Sequence, residues 1–122
     1  MSTAVESMVK LRVIMNIFDR LCRNGLSVEQ SKIENICRKF NIIELSIFGS
    51  AIRKDFRPES DIDLLVTYKP KSKITLFDEA DLSNEFSELF NREIDIVDIR
   101  GLRNPIRKEQ ILANREIIYV NS

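Results

Sequence analysis

The sequence predicts an α/β protein in which a small mixed β-sheet of three to four strands has helices packed on it. Short runs of strong β-formers occur at 42–48, 61–68 and 93–99, each ended by a turn residue or a charged loop. Between these runs, apolar residues recur every three to four positions, as they do on one face of a helix. This alternation of strands and helices is typical of a sheet covered by helices.

Composition restricts the class of protein further. The 122 residues suit one globular domain, with 43% hydrophobic and 31% charged residues. Lys+Arg and Asp+Glu number 19 each, so no overall positive field attracts nucleic acid, and we expect no direct nucleic-acid binding. No apolar run is long enough to span a membrane and no signal-peptide pattern opens the chain, so we expect a cytoplasmic protein without membrane association.

The sequence contains no histidine. This absence excludes Ser-His-Asp and Cys-His catalysis, zinc bound by imidazole, and a histidine general acid. Catalysis must therefore use carboxylates, hydroxyls, Lys, Arg and bound metal. Cys22 and Cys37 lack CxxC spacing and are expected to be reduced core residues of two helices.

Residues 5–23 are predicted to form an N-terminal amphipathic helix, within a first segment of residues 1–26. The second segment, residues 27–122, carries the remaining elements. The helix either covers its own domain or contacts a partner or a second copy, which would make it a site of homo- or hetero-oligomer formation. Its apolar stripe consists of Met8, Leu11, Met15, Phe18 and Cys22.

The next elements lead into the central stretch of the chain. Ser27 and Gln30 match a capping box, which predicts a helix that starts at Ser27 and ends near Asn41. The strand at 42–48 stops at Gly49. A short helix is expected from Ser50 to just before Pro58, and Ser60 closes the turn into the strand at 61–68.

The second half repeats the alternation. A basic loop at 69–73 precedes a helix from Thr75 to Phe90, with Leu82, Phe86, Leu89 and Phe90 as its buried face. A strand follows at 93–99. Asn104 and Pro105 then start a helix that ends near Asn114, since Pro suits the first helical position. A short strand at 116–120 ends the chain.

Asp61 and Asp63 form an acidic pair at the start of the second strand. Alternation puts both on the face of Leu65, about 7 Å apart along the strand. Carboxylates this close repel each other and can share a divalent cation, for which oxygen ligands favour Mg²⁺ or Mn²⁺. The alternative is a turn with two solvated acids.

Gly49 and Ser50 adjoin this pair in the predicted fold. A strand that ends in Gly and leads into a helix presents free backbone N–H groups and the positive end of the helix dipole, which suit a phosphate. The alternative is an ordinary strand-to-helix turn. Neither a Walker A nor a Rossmann glycine pattern is present.

Asp95 is the best candidate for a third acid. Ile94 and Ile96 flank it, so it points away from their face, and a carboxylate within an apolar strand is unfavourable unless it is paired or bound to metal. Three carboxylates on two strands can hold two metal ions about 4 Å apart and activate an attacking hydroxyl.

Over about residues 28–120 the chain resembles the minimal nucleotidyltransferases (MNT) of the DNA polymerase β type. The resemblance rests on Gly49-Ser50, ten further residues, Asp61-x-Asp63 and the later Ile-Asp95-Ile-Val. It implies the nucleotidyltransferase fold, ATP as nucleotide donor and two Mg²⁺ ions. Asp61, Asp63 and Asp95 would bind the metals, Asp95 would help deprotonate the acceptor, and Gly49 and Ser50 would hold the triphosphate.

The same resemblance implies a biological partner. Many MNT proteins are antitoxins of HEPN ribonuclease toxins, and some transfer AMP to a tyrosine of the toxin and so silence it. We therefore expect an antitoxin of this kind. The alternatives are an antitoxin that neutralises the toxin by binding alone, and a small-molecule nucleotidyltransferase, for which the chain is short.

The chain departs from the family pattern at one point of this motif. Arg53 keeps the basic position, where a contact to the donor phosphates is expected, but Lys54 replaces the usual glycine. If that backbone requires a positive φ, the lysine costs about 1–2 kcal/mol. Ser60 is a further candidate for a nucleotide contact.

Two other groups of residues have simpler interpretations. Tyr68 and Tyr119 are expected to pack within strands. A basic C-terminal stretch is either a solvated helix face or a contact for an acidic toxin surface or a polyphosphate; it consists of Arg100, Arg103, Arg107, Lys108 and Arg115.

Overall fold

The computed structural model describes residues 28–49 and 61–121. The predicted N-terminal helix with Cys22, and the predicted short helix after Ser50, lie outside the described residues. In the described part, the four strands form one mixed sheet in the order β3-β2-β1-β4, which confirms the predicted α/β class. The elements are α1 (Gln30–Lys39), β1 (Ile42–Phe48), β2 (Ile62–Tyr68), α2 (Leu76–Phe90), β3 (Ile94–Asp98), a 3-10 turn (Ile99–Gly101), α3 (Pro105–Asn114) and β4 (Glu116–Val120).

The pairing of the strands determines where the acidic residues lie. β1 runs antiparallel to both β2 and β4, whereas β2 and β3 are parallel neighbours. Because β2 and β3 are parallel, the starts of both strands lie at the same end of the sheet. None of the helices within residues 28–49 and 61–121 is long and apolar enough to cross a membrane.

Local capping explains why α2 and α3 start where the sequence predicts. Thr75 accepts a hydrogen bond from the Asp78 N–H at 3.1 Å, and Asp78 accepts one from the Thr75 N–H at 3.0 Å. This reciprocal capping box fixes the first turn of α2. At α3, the Asn104 side chain accepts hydrogen bonds from two backbone N–H groups, and Pro105 follows at the first helical position.

The predicted start of α1 is wrong. The helix begins at Gln30, three residues beyond Ser27, and its N-cap Glu29 makes no side-chain capping bond. Ser27 lies outside the described residues. A sequence that matches a capping box therefore does not start the helix here, because the chain is still extended at Glu29 (φ −82°, ψ 129°).

The main core lies between one face of the sheet and helices α1 and α2. The apolar positions of β2 that were predicted to face the core, Ile62, Leu64 and Val66, are all fully buried there. The buried face of α2 is confirmed at Leu82, Phe86 and Phe90, and Leu89 packs against the same core. The core also contains Ile33, Cys37, Ile42, Leu45, Ile47, Tyr68, Ile118 and Tyr119.

Cys37 is a free, buried thiol, as predicted. Burial raises its pKa to about 12, so it stays protonated and unreactive near neutral pH. It therefore serves the core as a small apolar side chain.

Tyr68 leads to a prediction about stability. Its hydroxyl is buried and makes no hydrogen bond in the part of the chain that the structure describes. Replacing Tyr68 by Phe should therefore leave the free energy of unfolding at pH 7 unchanged or raise it by up to about 1 kcal/mol, measured by urea denaturation. A loss of similar size would contradict the prediction and indicate a bonded hydroxyl.

The same variant should differ from the wild type at alkaline pH. Burial raises the pKa of Tyr68 to about 12, above its ordinary value of 10. The protonated phenol is thus favoured in the fold, and stability is lost as the pH rises from the unfolded towards the folded pKa. Phe cannot ionise, so the variant should lack this part of the alkaline loss of stability.

Candidate active site at the start of two parallel strands

Asp63 lies at the centre of a row of residues that runs across one face of the sheet. It pairs with Phe48 of the antiparallel β1 and with Asp95 of the parallel β3. Neighbouring strands lie about 5 Å apart, so strand pairing alone holds the Asp63 and Asp95 backbones side by side. The two acids predicted from separate stretches of sequence are therefore brought together.

Gly49 brings the end of β1 against Asp63. Its φ is +76°, which residues with a Cβ rarely adopt, and a Cβ built on it would overlap Oδ2 of Asp63. The carboxyl group of Asp63 thus occupies the space in which any other residue at position 49 would place its Cβ. The sequence predicted close approach of a phosphate at this glycine; the structure shows close approach of a carboxylate of the same site.

The electrostatics of Asp63 differ from those of an ordinary surface acid. Burial, and then the charges of Asp95 and Asp61, raise its pKa, whereas the charge of Arg107 lowers it. Like charges nearby disfavour ionisation because each carboxylate adds repulsion. The negative charges of both other predicted acids therefore disfavour ionisation of Asp63.

Asp61 and Asp95 are both exposed, unlike the half-buried Asp63. Asp95 points away from Ile94 and Ile96, as predicted, since those two pack against the core and Asp95 faces solvent. The cost of placing a carboxylate in an apolar strand therefore does not argue for its role. Its place in the site follows instead from the register with Asp63. An exposed carboxylate there is free to meet a ligand.

The acids do not converge tightly on one point. Within residues 28–49 and 61–121, no three acidic or cysteine side chains form a group that could hold a metal ion. The donor set nevertheless fits Mg²⁺, since it consists of carboxylate oxygens that repel one another. Strand pairing fixes the backbones of Asp63 and Asp95 side by side, and the side chains of Asp61 and Asp95 are exposed.

Arg107 is a residue of this site that sequence reasoning missed. It was grouped with other basic residues of the C-terminal stretch, but in α3 it is close enough to Asp63 for its charge to lower the pKa of that carboxyl. Its guanidinium forms no ion pair with the residues that the structure describes. No local sequence signal could have revealed this, because the proximity depends on how α3 packs.

Replacing Arg107 by Gln should raise the pKa of Asp63 further, because the variant loses a positive charge that favours the ionised carboxylate. An NMR pH titration of the Asp63 side-chain carboxyl measures this directly. Lys108→Gln is the matched control, since it removes the neighbouring positive charge and Lys108 is not among the groups that shift the Asp63 pKa. An equal shift in both variants would contradict a specific effect of Arg107.

Two of the other basic residues of the C-terminal stretch are paired with acids. Arg100 pairs with Asp98 at 2.9 Å, and Arg115 pairs with Glu44 at 2.6 Å. Asp98 also accepts a hydrogen bond from the Arg100 N–H, so this acid caps the 3-10 turn at the far end of β3. Ser50, Arg53 and Ser60, the remaining predicted nucleotide contacts, lie outside the described residues, as does Lys54.

Comparison with known proteins places the site in a family context. Residues 31–122 match the profile of the family described as polymerase beta, nucleotidyltransferase. Over 82 residues the chain is 30% identical to a candidate protein adenylyltransferase of Methanocaldococcus jannaschii, covering 67% of this chain and 80% of the relative.

Two solved structures share the fold. A candidate minimal nucleotidyltransferase is 32% identical, with a TM-score of 0.59, covering 70% of this chain and 85% of that chain. A chain from the structure of a tri-AMPylated Shewanella oneidensis HEPN toxin in complex with MNT antitoxin is 17% identical, with a TM-score of 0.54, covering 75% of this chain and 70% of that chain.

Proposed function

The chain belongs to the polymerase β family of nucleotidyltransferases, and we propose that it transfers AMP from ATP to a hydroxyl of a cognate HEPN ribonuclease toxin. We propose further that the acceptor is a tyrosine, that the reaction requires Mg²⁺, and that the modification neutralises the toxin. The protein would then be the antitoxin of a toxin–antitoxin pair.

The observation that carries the chemical part of this proposal is the position of Asp63. It pairs with Asp95 across two parallel strands, the charges of Asp95 and Asp61 raise its pKa, and the backbone of Gly49 packs against its carboxyl group. A group of mutually repelling carboxylates is stabilised when cations bind among them. This arrangement supports a metal-dependent reaction on a phosphate ester.

Asp61, Asp63 and Asp95 would hold the divalent cations of the reaction. When bound, such ions stabilise charge on the triphosphate and lower the pKa of an attacking hydroxyl. Gly49, whose φ is positive, ends β1 beside Asp63, and its backbone is a proposed contact to the triphosphate. Ser50, Arg53 and Ser60 remain proposed contacts to the donor phosphates.

The reaction exchanges one phosphate bond for another. The acceptor oxygen forms a bond to the α-phosphorus of ATP, and the bond from that phosphorus to the oxygen that leads to the β-phosphate breaks. Pyrophosphate leaves with that oxygen. The proton of the acceptor hydroxyl passes to a base, a role we assign to Asp95 because its carboxylate is exposed and adjacent to Asp63.

The proposed partner rests on the relatives. The relative from M. jannaschii bears the name of a protein adenylyltransferase, and one structure with this fold holds a tri-AMPylated HEPN toxin together with an MNT antitoxin. The absence of net charge on the chain also fits a protein acceptor better than a nucleic-acid acceptor.

Radioactive transfer tests the proposal. The full chain, its cognate HEPN protein, Mg²⁺ and ATP labelled at the α-phosphate should give a labelled HEPN protein, with the added mass of AMP on a tyrosine. Asp61→Asn should abolish the label. Asp81→Asn, the same change at an exposed acid of α2, should leave it intact.

The outcomes separate the proposed function from its alternatives. Full neutralisation of the toxin by the Asp61→Asn variant would show that binding alone is the antitoxin activity. Label on a small molecule, with none on the HEPN protein, would assign the enzyme to small-molecule transfer. Either result overturns the proposal.

A further inference from the structure

Helix α3 ends on the face of the sheet that carries the acids of the active site. On β2 this face bears Asp63 and Leu65, since side chains two positions apart point the same way. Ser46 of β1 pairs with Leu65 and so lies on the same face. Arg115, which follows α3 directly, donates from Nη1 to Ser46 Oγ at 3.5 Å and to Glu44 Oε2 at 2.6 Å. These bonds hold the end of α3 against the acid-bearing face.

Arg107 lies on the side of α3 that faces this part of the sheet. Arg107, Ile111 and Arg115 follow one another at steps of four residues, so they form one line along the helix. Ile111 is buried outside the main core, and Arg115 bonds to β1. The charge of Arg107 lowers the pKa of Asp63, which agrees with this placement. The guanidinium is therefore held beside the acids.

Arg107 forms no ion pair with the residues that the structure describes, despite the acids nearby. Its side chain is exposed. Three other arginines of the described chain do pair with an acid, namely Arg38, Arg100 and Arg115. An arginine that lies beside carboxylates without pairing with them keeps its donors for an anionic ligand.

A bound nucleotide adds negative charge to a site that is already acidic. The charges of Asp61 and Asp95 disfavour ionisation of Asp63, and the triphosphate of ATP brings further negative charges to the same place. The α-phosphate has to lie at the acids, where the acceptor hydroxyl attacks, so the β- and γ-phosphates extend beyond them. Charge grows on those two phosphates as pyrophosphate leaves, and a cation held there stabilises the change.

We propose that Arg107 binds the donor nucleotide, with its guanidinium on the β- and γ-phosphates that leave as pyrophosphate. It projects from α3 and not from the strands that carry the acids, so it is placed to meet the phosphates beyond them. Its planar donors match phosphate oxygens in pairs. This inference rests on the proposed function, of which it names a further residue of the donor site.

The proposal gives Arg107 opposite effects on the two ligands of the site. Its positive charge repels a divalent cation that binds at the acids alone, and it attracts the triphosphate. Arg107→Gln should therefore bind Mn²⁺ alone a few-fold more tightly than the wild type does, measured by electron paramagnetic resonance. A side chain with a purely structural role would not move the two affinities in opposite directions.

Nucleotide binding to the full chain is the second measurement. The probe is ATP with a methylene group between its α- and β-phosphates, which the reaction cannot cleave. Arg107→Gln should weaken the Kd of this analogue by about tenfold or more, measured by isothermal titration calorimetry with Mg²⁺. The affinity for AMP, which lacks the β- and γ-phosphates, should not change. Because Arg107 is exposed, the fold should survive, which thermal unfolding checks.

Two further variants serve as controls. Lys108→Gln removes the neighbouring exposed charge and should bind Mn²⁺, AMP and the analogue as the wild type does. Arg107→Lys keeps the charge and loses the paired donors. It should bind Mn²⁺ like the wild type and bind the analogue with an affinity between those of the wild type and Arg107→Gln.

Several results would overturn the inference. Wild-type affinity of Arg107→Gln for the analogue would do so, as would an equal loss for AMP and the analogue, an equal loss in Lys108→Gln, or weaker binding of Mn²⁺ alone. A wild type that binds no nucleotide would contradict the proposed function and this inference together. A wild type that binds the analogue through Arg107 but labels no HEPN protein would contradict the proposed function alone.

Discussion

Replacing Asp63 by Asn is expected to make the protein more stable at neutral pH and, at the same time, to remove AMP transfer. The wild-type carboxylate is half-buried between Asp61 and Asp95, and both burial and these charges raise its pKa. Asn keeps the shape and removes the repulsion. Since the side chain is partly exposed, solvent screens the effect, and the Tm should rise by only a few degrees.

The pH dependence of this gain follows from the sign of the pKa shift. A carboxyl whose pKa is raised in the fold is bound to its proton more tightly there than in the unfolded chain. Its contribution to stability is present at low pH and is lost as the pH rises through the folded pKa. The difference in Tm between the Asn variant and the wild type should therefore be present at neutral pH and vanish in acid, where the carboxyl is protonated in both states.

The loss of activity should be large. Metal binding supplies several kcal/mol of transition-state stabilisation, so the rate of label transfer should fall by about 10³-fold. Asp61→Asn is the comparison for stability: Asp61 is exposed, and this variant removes only its own repulsion on Asp63, the smallest of the causes that raise the Asp63 pKa. It should therefore lose activity with a smaller gain in Tm. If Asp63→Asn kept its activity, or lowered the Tm, the assignment of Asp63 to the centre of the site would be wrong.

Replacing Gly49 by Ala should damage both the fold and the reaction. The backbone at Gly49 has φ +76°, and a left-handed backbone costs a residue with a Cβ about 1–2 kcal/mol. The added methyl group would also overlap Oδ2 of Asp63 and push that carboxylate out of its row. Urea denaturation should show that the free energy of unfolding falls by at least this backbone cost. The rate of label transfer should fall as well.

Gly101→Ala provides the comparison for Gly49→Ala. At Gly101 the φ is not positive, and a Cβ would have no atom within 4 Å. This variant should match the wild type in stability and activity. If Gly49→Ala behaved in the same way, the close approach of Gly49 and Asp63 would matter to neither property.

The strands and most helix ends were predictable because their signals are local. Ile42–Phe48 is a run of β-formers that stops at a glycine, and α2 begins at a side chain that caps it, Thr75. The start of α1 was not predictable, because a capping-box sequence at Ser27 expresses only a weak preference. The neighbouring chain overrides it. The pairing of Asp63 with Asp95 was not predictable, because it depends on the order of the strands in the sheet. No local sequence pattern contains that order.

The same distinction applies to the site. Asp61, Asp63 and Gly49 were predicted from their spacing in sequence, and the strand pairing brings Gly49 and Asp63 together. Arg107 was not, because its proximity to Asp63 comes from the packing of α3.

β3 forms one edge of the sheet, where β2 is its one strand neighbour among the residues described, and it carries half of the acidic pair. Edge elements open at lower free energy than the centre of a fold. When β3 detaches, Asp95 leaves Asp63 while the β2-β1-β4 sheet persists. In rising urea, activity should therefore disappear before the secondary structure does, so that a cell under stress would lose the enzyme before it lost the folded protein.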